Sequence, residues 1–143
     1  MRWLIGGLLG LVGLAALVLG GAYLALKRAD VPYETLTTEY ANQASQFIDL
    51  PGGIRMHFRD QGPSTPAPTL LLIHGFSASL HTWEPWVERL SGDYRIISLD
   101  LPGHGLTSAP AGYQANIEAF RDAVHAFVTA RGIERFSIAG SSM

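Results

Sequence analysis

The hydrophobic pattern begins with an apolar run, Trp3 to Leu26, that contains no charged residue. Basic residues bracket the run, with Arg2 before it and Lys27-Arg28 after it. A helix of about 20 apolar residues crosses the hydrocarbon core of a bilayer, so this run is long enough to span it. A cleaved signal peptide has an apolar region of only about 7–15 residues and a small-residue cleavage site, which is not evident here. The pattern therefore favours an uncleaved membrane anchor, residues 1–28 with its basic flanks, over a cleaved signal.

The anchor is expected to contact the lipid bilayer through residues 3–26. Gly6 and Gly10 have the GxxxG spacing that lets membrane helices pack closely, so weak self-association is a further expectation. The two flanks of the anchor carry nearly equal positive charge, so the positive-inside rule barely distinguishes the two orientations. A short basic N-terminal tail often stays inside, which places the following domain on the extracytoplasmic side of a single-pass protein.

The chain after the anchor divides into a polar segment and a domain. Residues 29–45 are polar with weak periodicity and are interpreted as a tether. Residues 46–143 carry the alternating and apolar runs of a folded domain.

The domain opens with a predicted β-hairpin. Gln46–Leu50 and Ile54–Asp60 flank Pro51-Gly52-Gly53, whose residues suit a tight turn. In the second strand apolar residues alternate with polar ones, which predicts one buried and one solvent-facing side. His57 falls on the solvent-facing side and is predicted to be a surface residue.

Apolar runs and helical spacing then alternate. Thr69–Ile73 and Arg95–Leu99 are typical of strands covered on both faces. Helical spacing follows around Trp83 to Leu90, and the clearest helix is Asn116 to Arg131. A last strand is predicted at Arg135–Ala139. This order predicts an α/β fold, with a mostly parallel sheet and helices on its faces.

The amino-acid composition excludes several kinds of site and partner. The chain has 143 residues, a net charge of −2 and no cysteine. Disulfides, thiolate chemistry and cysteine zinc sites are therefore excluded. The charged residues form no basic patch, so no nucleic-acid partner is expected. No metal or cofactor is expected either.

Three motifs follow the predicted parallel strands, at the sheet edge where such folds bind ligands. They are His74-Gly75-Phe76, Asp100 to Ser108, and Gly140-Ser141-Ser142-Met143. The last has the form of a G-x-S-x-G turn up to its fourth residue, in which the candidate nucleophile is Ser142. Gly140 supplies the small residue that we expect two positions before that serine, because a side chain there is expected to collide with its surroundings. A polar turn without chemistry is the alternative interpretation of this motif alone.

Together the motifs resemble the N-terminal half of an α/β-hydrolase-fold serine hydrolase, over residues 46–143. The resemblance implies an acyl-enzyme on Ser142, with the backbone N–H groups of Phe76 and Met143 as oxyanion donors. It also implies that Gly75 lets the backbone approach the substrate closely. A serine at position 142, in place of aspartate, argues against the dehalogenase and epoxide-hydrolase branches.

The resemblance assigns the other motif residues to structural roles. Asp100 and His104 could be taken for an acid and a base, but the family pattern makes their turn structural. The residues expected to be structural near the site are His74, Asp100, Gly103, Gly105 and Gly140.

The expected function is a membrane-anchored serine hydrolase acting on an ester or related acyl bond of a small-molecule substrate. In the family the catalytic acid and histidine follow the serine in the chain. None of the five histidines here matches the catalytic one, so residues 1–143 alone are expected to be inactive. The alternative is a non-catalytic, truncated membrane-tethered binding module or an inert fragment.

Overall fold

The computed structural model describes residues 2–63 and 67–142. It divides into two compact units, Met1–Val31 and Pro32–Met143. The first unit contains helix α1, Arg2–Leu26. Its segment Gly6–Leu26 has a mean hydropathy of 2.2. A helix of 25 residues is about 37 Å long, which exceeds the roughly 30 Å hydrocarbon core of a bilayer. By length and composition, α1 is a candidate for a membrane span.

The second unit begins with helix α2, Tyr33–Tyr40, within the segment interpreted as a tether. The Tyr33 hydroxyl donates to the Thr107 carbonyl at 3.2 Å. The Tyr40 carbonyl accepts from the Arg59 guanidinium, also at 3.2 Å. Helix α2 therefore rests on the domain. Its residues give no strong periodicity because none of them is buried.

Five strands form one mixed sheet in the order β1-β2-β4-β3-β5. The strands are β1 Ser45–Leu50, β2 Ile54–Gln61, β3 Thr69–Ile73, β4 Arg95–Leu99 and β5 Ser137–Gly140. Strands β4, β3 and β5 are parallel, as predicted. The hairpin β1–β2 adds antiparallel strands through the pairing of β2 with β4. The α/β class is confirmed, and the parallel strands direct their carboxyl ends to one edge.

Helices cover both faces of the sheet. A 3-10 turn at Leu80–Trp83 leads into α3, Glu84–Leu90. Helix α4 runs from Ile117 to Ala130, which confirms the predicted helix. The Asn116 side chain begins α4 by accepting the Ala119 N–H at 2.9 Å. Such an N-cap contributes about 0.5–2 kcal/mol to helix stability.

Neighbouring residues on one strand pack into opposite sides of the core. Leu71 and Ile97 join the cluster beneath α4, where the Phe58 and Phe127 rings meet at 4.9 Å. Leu72 and Ile96 join the cluster beneath α3. Because both faces of β3 and β4 are buried, their sequences are largely apolar and do not alternate.

Among the strands that the structure describes, β5 lies at an edge of the sheet and pairs only with β3. Ile138 remains 62% exposed and Phe136 39% exposed. An apolar groove of about 370 Å³ separates β5 from α4. Its lining includes Phe120, Val124, Val128, Phe136 and Ile138. The sheet therefore presents an open apolar edge beside the serine turn.

Candidate active site

The serine turn follows β5 directly. The Ser141 N–H donates to the Ile73 carbonyl at 3.1 Å, which carries the parallel pairing with β3 one residue past the strand. Ser142 then adopts φ +56° and is exposed. A residue with a side chain rarely adopts this left-handed conformation, which costs about 1–3 kcal/mol where the surroundings impose it. The candidate nucleophile thus lies on a sharp, strained turn at the carboxyl edge of the sheet.

The loop after β3 approaches this turn closely at Gly75. A side chain on Gly75 would overlap the Ser141 carbonyl oxygen and would come within 3.2 Å of the Ser142 Cβ. Glycine is required here by the approach of two backbones. The next residue, Phe76, is 78% exposed. Its backbone N–H has no hydrogen-bond partner within residues 2–63 and 67–142. Met143, the other expected oxyanion donor, lies outside the described residues.

The Gly140 position is less crowded than the motif suggests. A Cβ there would meet only the Ile73 carbonyl oxygen, at 3.9 Å, among the residues that the structure describes. That is an ordinary van der Waals contact. The expectation that a side chain at position 140 would collide is therefore wrong for this part of the chain, and the tight position is Gly75.

His74 is fully buried beneath the same loop. Its Nε2 accepts the Leu101 N–H at 3.0 Å, so its Nδ1–H donates to the Gly75 carbonyl at 2.7 Å. Burial lowers the pKa of His74, and the Gly75 carbonyl only partly offsets this effect. The ring is therefore neutral. With both nitrogens engaged, it connects two loops at the carboxyl edge of the sheet.

Asp100 is fully buried, and its carboxylate accepts three hydrogen bonds from the described residues. The donors are the Leu80 N–H at 2.7 Å, the Leu106 N–H at 2.8 Å and His57 Nδ1 at 2.8 Å. Burial acts to raise the pKa of Asp100, but these hydrogen bonds outweigh it and hold the pKa below its usual range. The carboxylate ties the loop after β3 to the turn after β4 and to β2.

The turn after β4 depends on its glycines. Gly105 has φ +50°, and a side chain there would overlap the Asp100 carboxylate. Gly103 has φ +78° with open space around it, so its requirement is conformational. His104 contacts the Pro102 carbonyl, and its ring lies tilted by 50° to that of His74 with the centroids 5.1 Å apart. Asp100 has a histidine partner, but it is His57 and not His104.

The prediction that His57 is a surface residue is wrong, because its side chain is fully buried. The turn after β4 runs along that face of β2, where the His57 N–H donates to Thr107 Oγ1 at 2.9 Å. The His57 carbonyl accepts the Asp100 N–H at 3.0 Å. Arg59, on the same face, is 3% exposed. Both faces of β2 are therefore covered from Met56 to Arg59, although the sequence alternates there.

We expect Asp100→Asn to destabilise the protein. All three partners of Asp100 are donors, so the new amide NH2 would face an N–H, and one unpaired buried donor costs about 1–3 kcal/mol. Because the folded pKa of Asp100 is depressed, its contribution is complete above the unfolded value of about 3.9 and is lost as the pH falls through the folded pKa. The variant should therefore also lose part of the acid dependence of unfolding.

Urea unfolding followed by tryptophan fluorescence, between about pH 3 and 7, measures both effects. Asp122→Asn is the matched control, since Asp122 is exposed on α4 and, within residues 2–63 and 67–142, its carboxylate pairs only with Arg121. Equal stability of the two variants at neutral pH would contradict the role given to Asp100.

Comparison with known proteins identifies the family. Residues 68–143 match the family described as alpha/beta hydrolase fold. The chain is 33% identical over 99 residues to (E)-2-((N-methylformamido)methylene)succinate hydrolase of Acinetobacter baylyi, covering 69% of this chain and 36% of that protein. The chain therefore spans only about a third of the length of this relative.

Two solved structures extend the comparison. A bacterial membrane phospholipase A is 28% identical with a TM-score of 0.65, and the match covers 99% of this chain and 44% of that one. The enol-lactonase of Burkholderia xenovorans is 30% identical with a TM-score of 0.62, covering 68% of this chain and 37% of that one. The family match over residues 68–143 and the similarity to these hydrolases support one assignment. The chain belongs to the alpha/beta hydrolase fold family.

Proposed function

We propose that the protein is a membrane-anchored serine hydrolase that cleaves an ester or related acyl bond through an acyl-enzyme on Ser142. The left-handed backbone of Ser142 carries this proposal. Strain of this kind persists where the surrounding structure imposes it, and it projects the hydroxyl beyond the sheet edge. A serine at this position favours acyl transfer over the epoxide and halide chemistry of the aspartate branches.

The neighbouring loop supplies a candidate oxyanion site. The Phe76 N–H has no acceptor among the described residues, and Gly75 brings this loop against Ser142. A free N–H beside the nucleophile can donate to the oxygen that becomes negative during attack. We assign the second donor to Met143. Removing one donor of this kind costs about 100- to 1000-fold in kcat.

The general base for Ser142 is proposed to follow residue 143, with its acid partner. The histidines in the described residues have other hydrogen-bond partners. His57 contacts Asp100 and Ser45, and His74 contacts two backbone groups. His81 contacts Arg59 and Ser79. His104 contacts the Pro102 carbonyl, and His125 lies on α4. A serine without a base is a poor nucleophile near neutral pH.

We therefore expect residues 1–143 alone to show no ester turnover. The chain would be assayed in detergent with a short-chain activated ester, and Ser142→Ala would be its matched control. Equal background rates in both are expected. Turnover that Ser142→Ala abolishes would contradict the assignment of the base to later residues. By the full-length protein we mean the chain extended past residue 143 to the length of its relatives.

We propose that α1 anchors the protein in the membrane and that the hydrolase unit lies on the extracytoplasmic side. The proposal rests on the length and apolarity of Gly6–Leu26. The alignment to the membrane phospholipase A also supports it, because at 99% coverage it includes this helix. The alternative is that residues 3–26 are cleaved as a signal.

Alkaline carbonate extraction and intact mass test the anchor. We expect the protein to stay in the membrane pellet with residues 3–26 retained. Leu14→Arg should lower the membrane-retained fraction, since a charge at the centre of a span costs about 2.5–3.5 kcal/mol, whereas Leu14→Ala should not. A soluble species that begins near residue 27 would show that the segment is a signal peptide.

A further inference from the structure

A second serine, a histidine and an aspartate form a chain of hydrogen bonds that does not include Ser142. Ser45 Oγ is 2.9 Å from His57 Nε2, and His57 Nδ1 is 2.8 Å from Asp100 Oδ2. Ser45 begins β1, His57 lies in the middle of β2, and Asp100 directly follows β4. All three lie within the described residues. The role proposed for Ser142 makes no use of Ser45 or His57.

The direction of each hydrogen bond follows from the neighbours of Ser45. Its Oγ receives the Asn42 N–H at 3.1 Å and the Arg59 Nε–H at a longer 3.4 Å, and both groups can only donate. With both lone pairs engaged, the Ser45 O–H donates to His57 Nε2. His57 is then a neutral ring whose Nδ1–H donates to Asp100.

This is the polarity of a serine nucleophile, a general base and an orienting acid. The Asp100 carboxylate fixes the tautomer that leaves Nε2 free to take a proton. The Asn42 N–H and the Arg59 guanidinium stabilise negative charge on the Ser45 oxygen. Arg59 is itself held by Glu84 Oε1 at 2.8 Å, so its charge is fixed in place.

We propose that Ser45 is an activated serine that reacts once with small activated acyl or phosphonyl compounds. Ser45 is half-buried, which leaves part of the residue open to a small electrophile. With a fluorophosphonate, the Oγ–P bond forms, the P–F bond breaks and fluoride leaves. The hydroxyl proton moves to His57 Nε2 and stays on the ring, whose positive charge faces the Asp100 carboxylate. An activated ester reacts in the same way and releases its alkoxide or phenolate.

The geometry accounts for a single reaction without turnover. His57 and Asp100 are both fully buried. Water that would release the acyl group needs Nε2 as its base, and the burial of His57 keeps water from that nitrogen. Ser45 would therefore remain modified.

The test uses the Ser142→Ala variant of the full-length protein, treated with an alkyl fluorophosphonate and digested for peptide mass mapping. We expect the label on Ser45. Ser91 is the internal control, because it is also half-buried but has no histidine hydrogen bond within the described residues. In a second variant, His57→Gln, labelling of Ser45 should slow by at least about 100-fold, the smallest usual contribution of a general base.

Labelling in concentrated urea serves as the second measurement, because it needs no further variant. Unfolding separates Ser45 from His57, so Ser45 should then react no faster than Ser91. Native Ser45 labelling at the rate of Ser91, or at a rate unchanged in urea, would overturn the proposal. This result is distinguishable from failure of the proposed function, since labelling of Ser142 in the wild type does not depend on Ser45.

Discussion

Ser142→Ala in the full-length protein is expected to lower kcat toward a short-chain activated ester by a factor on the order of 10⁶, as loss of a nucleophilic serine does in a serine hydrolase. The substitution removes the oxygen that forms the acyl-enzyme, while the loop at Gly75 and Phe76 remains in place. The KM should change little, because substrate contacts outside the bond being broken are preserved. Steady-state kinetics in detergent measure both parameters.

Ser141→Ala is the matched control, since Ser141 is the adjacent hydroxyl in the same turn. Its N–H, and not its side chain, makes the bond to the Ile73 carbonyl. We expect this variant to keep most of the wild-type kcat. Full activity in Ser142→Ala together with loss of activity in Ser141→Ala would assign the nucleophile to Ser141 instead.

Residues 29–143 produced without the anchor are expected to be aggregated or loosely folded. Strand β5 has an open edge, where Ile138 on the strand is 62% exposed and Phe136 just before it is 39% exposed. Each large apolar side chain left in water loses up to about 1.5–3 kcal/mol of the stabilisation that burial would provide. A few such losses approach the 5–15 kcal/mol or so that stabilises a whole domain. Unpaired apolar strand edges also recruit other chains.

Size-exclusion chromatography and thermal unfolding of this fragment measure the effect. Ile138→Lys should reduce aggregation, because a charge on an edge strand opposes pairing. Ala130→Lys adds the same charge at an exposed position on α4 and should not reduce it. A monodisperse monomer with a sharp cooperative melt would mean that the fragment is a stable domain in its own right.

The sequence predicts the elements whose burial repeats with a regular period. Strands β3 and β4 follow from their continuous apolar runs, and α4 follows from its single apolar stripe. In each case the sheet and the facing helix bury what the periodicity indicates. The sheet order and the antiparallel pairing of β2 with β4 depend on long-range contacts, which leave no local pattern.

The sequence misleads where polar side chains are buried as partners of one another. His57 and Arg59 alternate with apolar residues as a solvent-facing side would, yet hydrogen bonds to Asp100, Ser45 and Glu84 satisfy them in the interior. Helix α2 escapes prediction for the opposite reason. It docks through a hydroxyl and a backbone carbonyl and buries no side chain fully.

At the candidate site, the motifs identify the residues but do not explain why those residue types are needed. The sequence points to Gly75 and Ser142, and the structure brings their backbones together. It also places Gly105 against the Asp100 carboxylate, a contact that no spacing rule predicts. Glycines are informative here because two chain segments meet, and only the fold reveals which two.

Mapping the serine that a fluorophosphonate modifies in the wild-type full-length protein tests the nucleophile assignment most directly. At low reagent concentration and short times, we expect a single phosphonylated peptide that contains Ser142, with modification parallel to the loss of esterase activity. Ser45 should react more slowly, because its surroundings are more enclosed. Complete loss of activity with Ser142 unmodified, or modification of Ser142 without loss of activity, would contradict the assignment.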